Sequence, residues 1–163
     1  LKKVYSVGIV AGLIPALFKT LLFVTGYTEK YEGSYTNLAE LVVIAIAVPL
    51  VIFVSRRENN GLITFNNALK TGIGTSAIAG VIVCLFTYLY FKYMNTVVQA
   101  NAVSEAIKYV EENKLTGEEA KKTIEGARQF YSPFVQATSA LFGIMLSGFF
   151  VTVISALILK KEN

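Results

Sequence analysis

The stretch T-G-I-G-T-S-A-I-A-G-V-I-V-C-L-F-T-Y-L-Y-F, residues 71–91, lies between Lys70 and Lys92 and holds no charge over 21 residues. At about 1.5 Å per residue, some 20 apolar residues in a helix cross the roughly 30 Å hydrocarbon layer of a bilayer. This reading decides the fold. Lipid offers no hydrogen bonds to a backbone, so a spanning segment must be a helix or part of a closed barrel. A run this long without polar alternation is a helix.

Three more runs of the same kind follow from the ends of this one. The spans are expected at about 4–26, 36–55, 71–91 and 133–159. The chain has 163 residues, 54% of them hydrophobic, and a mean hydropathy of +0.56. That is too apolar for an ordinary soluble domain. One membrane domain, 1–163, is expected. The first run follows Leu1-Lys2-Lys3 and imitates a signal peptide. No small-residue cleavage pattern follows it, so it reads as an uncleaved span. The first numbered residue is not Met, so a natural start is expected upstream of Leu1.

Between the last two spans, about 95–131, lies the one sizeable polar stretch. Val103, Ala106, Ile107 and Val110 have helical spacing, and so do Ala120, Ile124, Ala127 and Tyr131. Thr116 and Glu119 fit a capping box. An amphipathic helical hairpin turning near Lys114–Gly117 is expected. Its glutamates and lysines read as a solvated face with i,i+4 pairs. Ser132-Pro133 then opens the last span, with Ser as cap and Pro in the first turn. The residues 61–70, with Leu62, Phe65 and Leu69 on one face, read as an interfacial turn before the third span. Tyr27, Tyr31, Tyr35, Tyr88, Tyr90 and Tyr93 read as an aromatic belt.

Charge sets the orientation. The N-terminus, the 56–70 loop and the C-terminus hold seven cations against two glutamates, net +5. The other side holds seven cations against eight glutamates, net −1, and four of those cations lie in the hairpin, far from span ends. Cations beside spans decide topology. Both termini are expected on the cytoplasmic side, with the hairpin outside. The overall charge of +4 is explained this way, and nucleic-acid binding is not expected.

Small residues recur at four-residue spacing in three spans: Gly8, Gly12 and Ala16; Gly72, Ser76 and Gly80; Ser139, Gly143 and Ser147. Such lines let helix backbones approach closely. Three of them exceed what a minimal four-helix bundle needs, so one is available for a partner. Lys19 and Glu40 are the ionisable residues well inside apolar spans. Charges at that depth are costly. Three readings are open: Lys19 snorkels while Glu40 reaches interfacial water, the two form an intramembrane ion pair, or they mark a proton, ion or substrate site. The chain has no His, no Asp and one Cys. The usual catalytic triads, acid/base pairs and metal clusters are therefore not available. No catalytic residue, metal or cofactor is expected, and the chain is read as not an enzyme.

The motif G-x-x-x-F-x-x-A-x-x-x-G (Gly61, Phe65, Ala68, Gly72) leads into L-F-T-Y-L-Y-F-K-Y at 85–93. Y-V-E-E-N-K-L-T-G-E-E-A follows at 109–120, and L-I-L-K-K at 157–161. In these the chain resembles the bacterial integral membrane family catalogued as domain of unknown function 4199, seen mainly in Bacteroidota. The resemblance covers nearly the whole chain. It implies four spans and an inner-membrane location, and offers no reaction. It also hints at a partner, a polyprenyl-phosphate glycosyltransferase, beside which members are sometimes encoded. The function expected is that of a non-enzymatic accessory or scaffold subunit of a larger membrane complex, in contact with membrane lipids and with a membrane-protein partner or further copies of itself. The alternative is a small transporter or flippase for an ion or a lipid-linked or amphiphilic substrate.

Overall fold

A computed structural model of the chain describes residues 2–27 and 34–161, with backbone alone at 34 and 35. The described residues form six α-helices and no β-strand: α1 (Lys2–Val24), α2 (Ser34–Glu58), α3 (Phe65–Leu89), α4 (Val97–Glu112), α5 (Gly117–Phe130) and α6 (Pro133–Leu159). A π-helical turn, Tyr90–Met94, continues α3. The helices α1, α2, α3 with its π turn, and α6 are long and apolar enough to cross a membrane.

The placement of side chains agrees with a lipid environment. Leu17, Phe142 and Ile158 are 68%, 72% and 73% exposed, whereas the interior is built from Ala, Val, Ile, Thr and Ser. In water such an apolar exterior would aggregate. In lipid the large side chains cost nothing outside, and close packing of small residues holds the helices together.

The chain divides into two compact units. The first is Leu1–Cys84 with Ala140–Asn163. Here α1 packs on α2, and α3 receives α1 on one face and α6 on another. A Cβ on Gly8 or Gly12 would fall 2.8 Å from the Cβ of Ile78 or Ile82 respectively. A Cβ on Gly72 would fall 2.5 Å from both Cγ2 and Oγ1 of Thr152. Gly148 of α6 in turn closes on the side chain of Ser76. Around these contacts Ala11, Ile44, Val48, Val51, Ile52, Ala79, Val83 and Ile144 form the core.

Buried hydroxyls in this unit mostly turn back on their own helix. Thr75 Oγ1 donates to the Thr71 carbonyl at 2.9 Å, and Ser76 Oγ to that of Gly72 at 3.0 Å. That is how a polar side chain is tolerated where water is absent. Thr152 Oγ1 is buried with no hydrogen-bond partner, as is Thr87 Oγ1 of the second unit.

The segment 61–70 is not a separate interfacial turn. Helix α3 starts at Phe65 and runs unbroken through Lys70. Thr64 starts it, its Oγ1 accepting the Asn67 N–H at 3.3 Å and its carbonyl the Ala68 N–H at 3.0 Å. Ile63, just before, is fixed in an isolated antiparallel bridge with Lys161.

The second unit is Leu85–Ser139. Here α4 and α5 pack as the expected hairpin, and Gln99 Nε2 donates to the Arg128 carbonyl at 2.8 Å. Helix α4 ends with Lys114 at φ 52° and the Leu115 N–H on the Val110 carbonyl at 2.9 Å, a left-handed close of the Schellman type. The expected capping box at Thr116 does not form on its side-chain half. Thr116 holds the N-cap backbone position, but its hydroxyl makes no cap bond. Gly117 at φ 61° turns the chain directly after it, which takes the hydroxyl out of line with the first helical N–H groups. Ser132 does cap α6, accepting the Val135 N–H at 3.4 Å. Two of the expected helix-surface ion pairs are present, Lys122–Glu118 at 3.5 Å and Arg128–Glu125 at 3.7 Å.

The aromatic belt needs correction at one member. Tyr90 is 0% exposed, stacked on Phe86 at 6.0 Å and edge-on to Phe91 at 5.2 Å. Tyr90 follows Thr87 by three residues and shares its buried face of the helix. Tyr88 and Tyr93 flank Lys92, whose Nζ lies 5.2 Å and 5.3 Å from their ring centres. Tyr31 lies outside the described residues, and the side chain of Tyr35 does too.

Candidate functional site

Two places in the first unit gather charge. One is intramembrane. Lys19 stands five residues before the end of α1 and Glu40 six residues into α2. Lys19 is only 8% exposed and Glu40 is half-buried. The antiparallel packing of α1 on α2 brings the two into electrostatic range of each other. A desolvated lysine is tolerable beside a carboxylate because each offsets part of the other's desolvation cost.

The other place is the end of the bundle where α1 begins, α2 ends, α3 begins and α6 ends. Lys3 and Glu58 form an ion pair there. Arg56 Nε donates to the Gly61 carbonyl at 2.9 Å, and its Nη1 to the Leu159 carbonyl at 3.3 Å. Ile63 and Lys161 exchange backbone N–H to carbonyl bonds, both 3.0 Å. From sequence these cations counted only toward orientation. Their role in tying helix ends together has no local signal, since every partner of Arg56 is a backbone carbonyl.

The small-residue lines divide. Gly8, Gly12 and Ala16 of α1 are buried, as are Gly72, Ser76 and Gly80 of α3. Gly80 faces Leu141 of α6, with 3.0 Å between a built Cβ and Cδ1. On α6 the residues that meet the bundle include Leu141, Ile144, Gly148, Thr152 and Ala156. Ser139 and Gly143 are exposed, and nothing lies within 4 Å of a Cβ built on Gly143. Ser147 is half-buried, its Oγ on the Ile144 carbonyl at 3.2 Å.

A model of the family described as "Protein of unknown function (DUF4199)" matches residues 6–161. The chain belongs to the DUF4199 family. The match takes in the first long helix from Ser6 onward, the other three whole, the positions Lys19 and Glu40, and the carbonyl clamp of Arg56. No curated protein and no solved structure matches the chain. For this DUF4199 member, chemistry has to be argued from its own side chains. Among the described residues no group of three or more His, Cys, Asp or Glu is placed to hold a metal ion.

Proposed function

We propose that this DUF4199 protein is a non-enzymatic accessory or scaffold subunit of a larger membrane complex, held in the bacterial inner membrane with both termini in the cytoplasm. The observation that supports this reading is the exposed small-residue line on α6. Gly143 leaves a shallow notch between large exposed neighbours such as Phe142 and Leu146. In lipid, a notch of this kind admits the backbone of another helix, and van der Waals contact there is what drives association. A polyprenyl-phosphate glycosyltransferase is the partner proposed. The cationic end, facing inward by the rule for residues beside spans, supports the orientation.

Purification from native membranes in a mild detergent, with mass spectrometry of what travels along, tests this. A membrane protein is expected to co-purify with the wild-type chain and to be lost from Gly143→Leu, which fills the notch. A chain that runs alone, or a Gly143→Leu variant that keeps its companion, ends the proposal. The second reading, transport of an ion or amphiphile, draws on Lys19 with Glu40. A flux or lipid-flip assay in reconstituted vesicles tests it. Activity lost in Lys19→Met but retained in a Gly143 variant would favour transport.

A further inference from the structure

The charged end of the first unit also contains a cavity of about 610 Å³ between the start of α1, the end of α2 and the start of α3. Its lining is of mixed polarity and includes Lys2, Lys3, Ser55, Glu58, Asn67 and Thr71. A second, apolar groove of about 280 Å³ follows it along the same helix pair. The cavity takes residues 2–4 of α1, and Ser55, Glu58 and Asn59 at the end of α2. The groove takes Ser6 to Ile14 of α1 and Val43 to Leu50 of α2. Ser6 to Ile14 is about 12 Å of helix. A charge-bearing cavity continued by an apolar groove has the outline of an amphiphile, head at the membrane surface and chain in the hydrocarbon.

We infer that this cavity and groove bind one anionic phospholipid, its phosphate in the cavity and an acyl chain in the groove. Charge selects the headgroup. The charged residues that line the cavity are Lys2 and Lys3, against Glu58. Lys3 is engaged by Glu58, which leaves Lys2 as the cavity's free charge among the described residues. Asn67 and Thr71 supply neutral donors from the first turns of α3, where the helix dipole also favours an anion. Basic pockets between membrane helices bind anionic headgroups for these reasons. Glu58 acts against binding twice, through its own charge and by occupying Lys3.

The test uses the full chain in nanodiscs of mixed phosphatidylcholine and phosphatidylglycerol, reading the ratio of the two lipids retained after transfer to detergent. Lys2→Gln is expected to lower the phosphatidylglycerol preference about fivefold, the effect of one basic residue at a membrane surface. Glu58→Gln is expected to raise it by a similar factor, a gain that a misfolded variant cannot produce. Arg57→Gln removes a charge at the same end from a residue that does not line the cavity, and should leave the ratio unchanged. A Lys2→Gln ratio equal to wild type, an equal fall in Arg57→Gln, or no rise in Glu58→Gln overturns the site. So does displacement of the lipid by soluble inorganic phosphate, which would make the ligand a free anion. None of these readouts involves the α6 notch, so the lipid site and the docking proposal stand or fall separately.

Discussion

Arg56 Nη1 donates to the carbonyl oxygen of Leu159 across 103 positions of chain, at 3.3 Å, while its Nε holds the carbonyl of Gly61 at 2.9 Å. The last carbonyls of a helix have no partner within the helix and carry its negative end. One guanidinium therefore closes α6 and fixes the turn after α2 at the same time. Arg56→Gln should lower thermal stability in detergent by about 1–2 kcal/mol. Arg56→Lys keeps the charge but cannot make two directed bonds from one planar fork, so it should recover less than half of that loss. A lysine variant with wild-type melting would show that charge alone is sufficient.

Helix contact is set by hydrogen-sized gaps at a few glycines. Gly72→Ala would drive a methyl into Thr152 and should cost about 1–3 kcal/mol, the range for overpacking. Gly143→Ala meets open space and should be neutral, or stabilising by up to about 1 kcal/mol through helix propensity. Adding Thr152→Ala to Gly72→Ala should restore part of the loss, because the two side chains share one space and their effects do not add. Additive losses in that double variant would mean that the contact is not what limits stability.

An ion pair between Lys19 and Glu40 would show itself as an asymmetry. Removing one charge leaves the other desolvated, whereas removing both leaves an apolar seam. Lys19→Met should therefore destabilise by up to about 3 kcal/mol, and Lys19→Met with Glu40→Gln by distinctly less. Denaturant unfolding of the two variants in the same micelle measures this. Equal losses would remove the pairing.

In the second unit, Tyr90 and Tyr93 separate core from surface. Tyr90→Ala empties a fully buried site between two aromatic rings and should cost about 3–5 kcal/mol. Tyr93 is 68% exposed, and its alanine variant should stay within about 0.5 kcal/mol of wild type. Near-equal melting temperatures would put Tyr90 back at the surface.

Run length, charge placement and turn chemistry are local properties, and they made four long helices and a hairpin closing near Lys114 readable from the residues alone. A backbone in lipid has almost no other option. Local pattern could not say which side of a helix its neighbours would occupy. Four-residue spacing marks Ser139, Gly143 and Ser147 as readily as it marks Gly72, Ser76 and Gly80, yet on α6 it is Gly148 that closes on Ser76. The same holds for Tyr90, which shares a buried face with Thr87, and for Arg56, whose partners are carbonyls that any residue could supply. Periodicity fixes the angle between side chains on one helix, but the choice of face is made by the helices packed around it, and that choice exists only in the folded chain.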